Sequence, residues 1–276
     1  MSVELALSDR RGLSTVWSRT LRDQRRALMW WAVGLLATVL VTVAFWPTIQ
    51  ANAEQFTQFL ENLPASLRDL FGVNDFVTPA GYLQARLFSF LGPILMLVLA
   101  IGAGARAIAG EEESGTLDLL LTTPIRRRDV VVQKFVAMLI AVATIVAVTW
   151  VSLVALGPRF DLTVPADGLA AACLNLFLLA LAFGTIALAI GSATGSKGLA
   201  TGASSGVALL TYLLKSFAPS VDWLEPFRVL SPFYYYIDHD PLRQGVNAGD
   251  IVVLAAVTVV ALVVALVTFE RRDLAA

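Results

Sequence analysis

LFSFLGPILMLVLAIGAGA, Leu87 to Ala105, decides the fold: 19 residues without a charge, closed by Arg86 on one side and Arg106 on the other. At 1.5 Å per residue such a run makes a helix of about 28 Å, close to the roughly 30 Å hydrocarbon core of a bilayer. The pattern recurs on both sides of it. Between Arg26 and Glu54 lie 27 uncharged residues, apolar from Ala27 to Trp46, with Pro47 expected to stop the helix. Phe135 to Pro158 adds 24 residues, Gly168 to Ser196 adds 29, and Ile251 to Phe269 adds 19. Gly198 to Leu214, 17 residues after the isolated Lys197, is the weakest run, because its first half is mostly Gly, Ser and Thr. Either it pairs with the fourth run in a tight helical hairpin around Lys197, or GSATGSKG (Gly191–Gly198) ends a longer fourth segment and the chain has five spans.

The reading is all-α: a polytopic membrane protein with six transmembrane helices in one domain over residues 1–276. The spans are expected near 27–47, 83–109, 131–157, 168–193, 198–216 and 250–269, with outer loops at 50–82 and 217–249. Composition agrees. The chain is 57 % hydrophobic and 15 % charged, with a mean hydropathy of +0.74, against about 25 % charged residues in soluble domains. A formal charge of −1 removes any bulk argument for nucleic-acid binding. One cysteine, Cys173, and one histidine, His239, exclude an intrachain disulfide and histidine-pair metal motifs. No catalytic residues and no metal ligands are expected.

Orientation follows the lysine and arginine bias. Fourteen of the 20 basic residues fall at the two termini and in the loops after spans two and four, so both termini are expected in the cytoplasm. The N-terminal apolar run is too long for a signal peptide and lacks a small-residue cleavage site. Before it, Leu13, Val16, Trp17, Leu21 and Leu28 project to one side of a helix, and Arg19, Arg22, Arg25 and Arg26 to the other. That pattern predicts an interfacial elbow helix over 9–26, in contact with membrane lipid, or a basic anchor that only enforces topology.

Gly110 to Lys134, GEEESGTLDLLLTTPIRRRDVVVQK, is the most informative stretch outside the spans. Glu111, Glu112 and Glu113 sit where a short helix is expected to begin, and acidic charge is favourable at a helix N-terminus. Leu117, Leu120 and Leu121 form an apolar stripe, and Pro124 limits the helix. Arg106 to Lys134 carries five basic and five acidic residues. An apolar stripe between balanced charge blocks suits a protein partner better than a lipid surface. The bland alternative is a solvated loop tethered by its own arginines.

The pattern E-E-x-S-G-T-L-x-L-L-L-x-x-P-[IV]-x-R, followed by a lysine entering a long apolar helix, resembles the permeases of type-2 ATP-binding-cassette (ABC) exporters. The outer segment LSPFYYYIDHDPLRQG (Leu230–Gly245) and the six-span layout fit the same family. The resemblance implies a coupling segment over 110–129 that docks on a cytoplasmic ATPase. It assigns Glu111, Glu112, Glu113, Ser114, Gly115, Thr116, Leu117, Leu120, Leu121 and Pro124 to that segment. It also implies two ATPase copies, a second permease subunit, identical or homologous, and ATP and magnesium bound only by the ATPase. An outer segment that dips back into the membrane belongs to the same expectation; a simple interfacial anchor is the alternative.

Other signals are weaker. Gly198, Gly202 and Gly206 form a small-xxx-small repeat for helix packing, within one subunit or at a dimer seam. Asn175 lies in the fourth span and either lines a cavity or bonds a neighbouring helix. His239, beside Asp238 and Asp240, reads as a surface histidine or a proton or metal sensor. Gly92 and Pro93 are expected to bend the second span, or to loosen it near its outer third. The spans nearly lack buried charge, which disfavours an ion-coupled carrier. A hydrophobic or amphipathic cargo, exported by alternating access, is the expectation; an ATP-independent secondary transporter or a membrane assembly factor is the alternative.

Overall fold

The computed structural model describes residues 2–62, 75–116 and 126–272, and every regular element among them is helical. Six long helices dominate: α1 (Ser2–Ala51), α3 (Pro79–Glu113), α4 (Arg127–Leu156), α5 (Ala166–Thr194), α6 (Lys197–Phe217) and α9 (Ala248–Arg271). Short helices α2 (Ala53–Glu61), α7 (Pro232–Ile237) and α8 (Pro241–Gln244) lie in the connections.

Among the described residues five helices, not six, are both long and apolar enough to cross a membrane: those with Gln24–Ala51, Pro79–Glu113, Arg127–Phe160, Ala166–Thr194 and Ala248–Arg271. The 21 residues of α6 would reach about 31 Å, but Gly198, Thr201, Gly202, Ser204, Ser205 and Gly206 dilute its apolarity.

The most buried of the long helices is α5, and α3, α4, α6 and α9 pack around it. Its closest neighbour is α3, where a side chain on Gly104 would overlap the Gly184 carbonyl oxygen. Two bare backbones meet there, which lets dispersion and Cα–H contacts replace a hydrophobic drive that lipid does not supply. On α1, Leu35, Val39, Val43 and Trp46 form the buried stripe, while Trp30 and Phe45 are exposed on the outward side.

Two expected breaks in α1 are absent. The helix runs from Ser2 without a non-helical residue between the 9–26 segment and the first span. Gly12 is the only helix breaker before Gly34 in the sequence, and one glycine costs only about 1 kcal/mol. Nor does Pro47 stop the helix, which continues to Ala51. A proline forfeits one intrahelical bond, and here the neighbouring turn is held from outside. Trp46 donates its indole N–H to the Asp161 carbonyl at 3.3 Å and packs on Tyr82, whose hydroxyl donates to the Thr42 carbonyl at 2.8 Å.

Pro93 acts instead by widening α3. Residues Gln84–Leu91 form a π-helical stretch ahead of it, and a second one, Arg106–Gly110, precedes the glutamates. In the first, the Gly92 N–H bonds the Leu87 carbonyl, five residues back. The next bond in that register would run from residue 93 to Phe88, but proline has no N–H. The Tyr236 hydroxyl, fully buried, donates to the Phe88 carbonyl at 2.7 Å and fills the gap. Burial, and then the nearby Cys173, push that hydroxyl well above the usual tyrosine range, so it stays a donor.

The segment between α6 and α9 folds back onto the bundle. Phe233, Tyr236, Ile237 and Leu242 are buried in the main core, with Phe233 against Phe183. An interfacial anchor therefore does not describe these side chains, although Trp223 and Leu230 remain exposed.

Candidate functional site

The acidic triplet does not begin a helix: Glu111–Glu113 form the last turn of α3. Negative charge is unfavourable at that end, so each carboxylate needs a partner, and each has a different one. Glu111 pairs with Lys134 of α4, whose ammonium also donates to the Thr20 hydroxyl of α1 at 3.2 Å. Glu112 pairs with Arg272 just past α9, and Arg272 also donates to the Ser192 carbonyl at 3.3 Å. Glu113 accepts the Lys197 backbone N–H at 2.9 Å, satisfying the N-terminus of α6. One turn of helix thus ties α1, α4, α6 and α9 together.

The α5–α6 turn is shaped to pass that clamp. It is two residues long, Gly195 and Ser196, and Gly195 has φ +67°. A side chain on Gly195 would overlap the Arg272 guanidinium and crowd the Glu112 carboxylate. Nearby, Arg128 holds Glu270, with one contact at 2.7 Å, and Arg127 donates to the Arg272 carbonyl at 2.8 Å. Arg127 and Arg128 therefore engage the end of α9, not Glu111–Glu113.

After Glu113 the chain reverses through Ser114 and Gly115, with φ +68° at Gly115. The Thr116 hydroxyl donates to the Glu111 carbonyl at 3.2 Å. Leu117, Leu120, Leu121 and Pro124 lie outside the described residues.

Along the bundle, α3 and α6 splay to leave a groove of about 620 Å³, within the roughly 300–1,000 Å³ of small-molecule sites. Its walls are mainly apolar, including Phe90, Ile94, Val98 and Leu209, with Trp31 of α1 at one side. Ser89, Thr201 and Ser205 place hydroxyls on it, and Arg106 and Lys197 line it at the Glu111 end. At the opposite end, Ser89 also lines a second cavity of about 330 Å³, where Lys215, Asp238, Asp75 and Arg243 meet. Lys215 pairs with Asp238 at 2.9 Å there, and Arg243 pairs with Asp75.

The remaining candidates separate. Asn175 is buried and donates to the Tyr236 carbonyl at 3.1 Å, joining α5 to α7 and not facing the groove. His239 is no free surface group: its Nδ1 lies 2.9 Å from the buried Asp250 carboxylate in the first turn of α9. Among the described residues no cluster of His, Cys, Asp and Glu could hold a metal ion. Added side chains at Gly202 and Gly206 would meet nothing within 4 Å, and one at Gly198 only the Ser196 hydroxyl. Packing within one subunit therefore does not account for the glycine repeat among the described residues. Sequence reasoning assigned no partner to Lys134, Arg272 or Tyr236. For Lys134 the signal was available, since a charge at the mouth of a long apolar run demands a partner.

Long apolar helices around a buried central one, a groove open along two of them and ionic ties confined to the ends define a multi-pass helical membrane protein. The chain matches the ABC-2 family transporter proteins over residues 15–274 and belongs to that family; it is a type-2 ABC transporter permease. It is 28 % identical over 209 residues, 74 % of this chain and 68 % of the relative, to the "Probable ABC transporter permease protein NosY" of Pseudomonas aeruginosa. A second protein of that name, from Stutzerimonas stutzeri, is 31 % identical over 140 residues, covering 49 % of this chain and 43 % of the relative.

Proposed function

We propose that this chain is the membrane-spanning half of an ATP-driven exporter in the cytoplasmic membrane, moving a hydrophobic or amphipathic molecule outward by alternating access. The observation that carries this reading is the groove between α3 and α6. It is apolar along most of its length and reaches a polar cavity through Ser89 at the end away from Glu111. The basic residues gather at the Glu111 end, which supports placing that end and both termini in the cytoplasm. In this arrangement α6 is a sixth span, its hydroxyls turned to the groove. The N-terminal turns of α1 bring Arg22, Arg25 and Arg26 to anionic headgroups.

ATP and its magnesium ion belong to a separate ATPase subunit, one docked on each of two permease chains. The coupling segment, 110–129, receives the ATPase. Glu111, Glu112 and Glu113 then pass its displacement to four helices at once, rocking the bundle between two packings. Lys215 and Asp238 lie where the route leaves the membrane and close it until that motion separates them.

The reading is tested with the permease and its ATPase in inside-out vesicles. ATP-dependent accumulation of an amphiphilic dye is expected, and is expected to vanish when either chain is omitted. Accumulation without ATP would instead point to a secondary transporter.

The second permease chain sits on the glycine face of α6, next to the groove. Gly202→Leu has open space within its own subunit, so folding of the single chain is expected to be unchanged. Crosslinking between two copies is expected to fall several-fold, with transport falling in parallel. Undiminished crosslinking would show that this face meets only lipid.

A further inference from the structure

We propose that the groove takes a single-chain amphiphile with an anionic head, the head held between Arg106 and Lys197. The proposal rests on the groove being the substrate route and adds to it the charge of the cargo.

Arg106 and Lys197 are the two cations at this end that line the groove. Lys134, Arg128 and Arg272 at the same end have carboxylate partners. Neither the Arg106 nor the Lys197 side chain has one among the described residues, although both line the groove. The nearby glutamates are engaged: Glu113 holds the Lys197 backbone, and Glu111 and Glu112 hold other helices.

Arg106 also points the right way. Helical side chains lean toward the helix N-terminus, and for α3 that direction is into the span. Its guanidinium lies 3.6 Å from where a side chain on Gly102 would begin, so glycine leaves it the room to fold back along the groove wall. A cation meant only for headgroups or for a docked ATPase would extend outward. Lys197 lines the same groove from α6, its stem over Gly110, about two turns beyond Gly102. Two cations lining one end of an apolar trough suit an anion with a chain behind it. The trough's volume of about 620 Å³ falls in the range of small-molecule sites.

Trp31 lines the groove and reports its occupancy. The full-length chain in lipid discs of phosphatidylcholine is titrated with dibrominated stearate, whose bromines quench indole fluorescence, and with the dibrominated alcohol of equal length. The acid is expected to quench at about tenfold lower concentration than the alcohol. That is about 1.4 kcal/mol. Trp31→Phe removes the saturable component for both ligands. The double variant Arg106→Gln, Lys197→Gln is expected to lose the acid's advantage and keep the alcohol's binding, whereas Arg106→Lys, Lys197→Arg keeps both. Acid and alcohol binding equally through Trp31 would overturn the anionic head while leaving the groove in place. Phosphatidylglycerol in the discs abolishing the acid's binding would overturn it in favour of a two-chain lipid. No Trp31-dependent quenching by either ligand would remove the groove itself as the route, and this inference with it.

Discussion

Glu111→Ala is expected to lower the stability of the bundle by about 3–5 kcal/mol, the cost of leaving one member of a buried ion pair without its partner. The Lys134 side chain is only 5 % exposed, and its remaining acceptor is the Thr20 hydroxyl. Glu111, at 24 % exposure, is the more accessible member, so water can relieve part of the penalty and the lower end of the range is expected. Unfolding by a denaturing detergent in mixed micelles measures the change. The double variant Glu111→Ala, Lys134→Met removes both charges and is expected to recover most of the loss. If the double variant is as unstable as the single one, the pair is not what holds α3 to α4. Replacing Glu111, Glu112 and Glu113 together by alanine is expected to leave the ATPase bound at low salt, because these carboxylates turn inward onto the permease's own helices. ATP turnover then continues while transport per ATP falls.

Leu117→Asp or Leu120→Asp should do the opposite, detaching the ATPase while all helices stay inserted. Each leucine buried against a partner contributes roughly 1.5–3 kcal/mol before association costs, and an aspartate in its place must also be desolvated. At 1.4 kcal/mol per tenfold, one substitution is expected to weaken the complex by at least about tenfold. Pull-down of the ATPase, with transport assayed on the same preparations, checks this. Leucine variants that keep full binding and transport would show that 110–129 is not the docking segment. The contrast between the two experiments separates the residues that hold the partner from those that transmit its motion.

Membrane character was legible in the sequence because it depends on local composition. A charge-free run such as Leu87–Ala105 must satisfy its backbone within itself when water is absent, and helix is the form that a single segment can take. The stretch 110–134 stood out for a related reason, since it is charge-dense and amphipathic between apolar runs. Helix ends were less so. Pro47 was expected to terminate α1, but contacts from Asp161 and Tyr82, 115 and 36 residues away in the chain, hold the turn together.

The sequence by itself determined that this protein is all-helical and lives in a bilayer, and its motif carried the ABC permease resemblance, because burial of apolar runs and family patterns are written residue by residue. Only the tertiary structure decided what the glutamates hold, which cations have partners, and that Gly202 and Gly206 of α6 face no neighbour among the described residues. Those properties belong to pairs of residues on different helices. Glu112 meets Arg272 across 160 positions, and Tyr236 completes a π-helical turn 148 positions earlier. Such pairings depend on how α5 gathers the other helices around it, through close backbone approaches that no local pattern specifies.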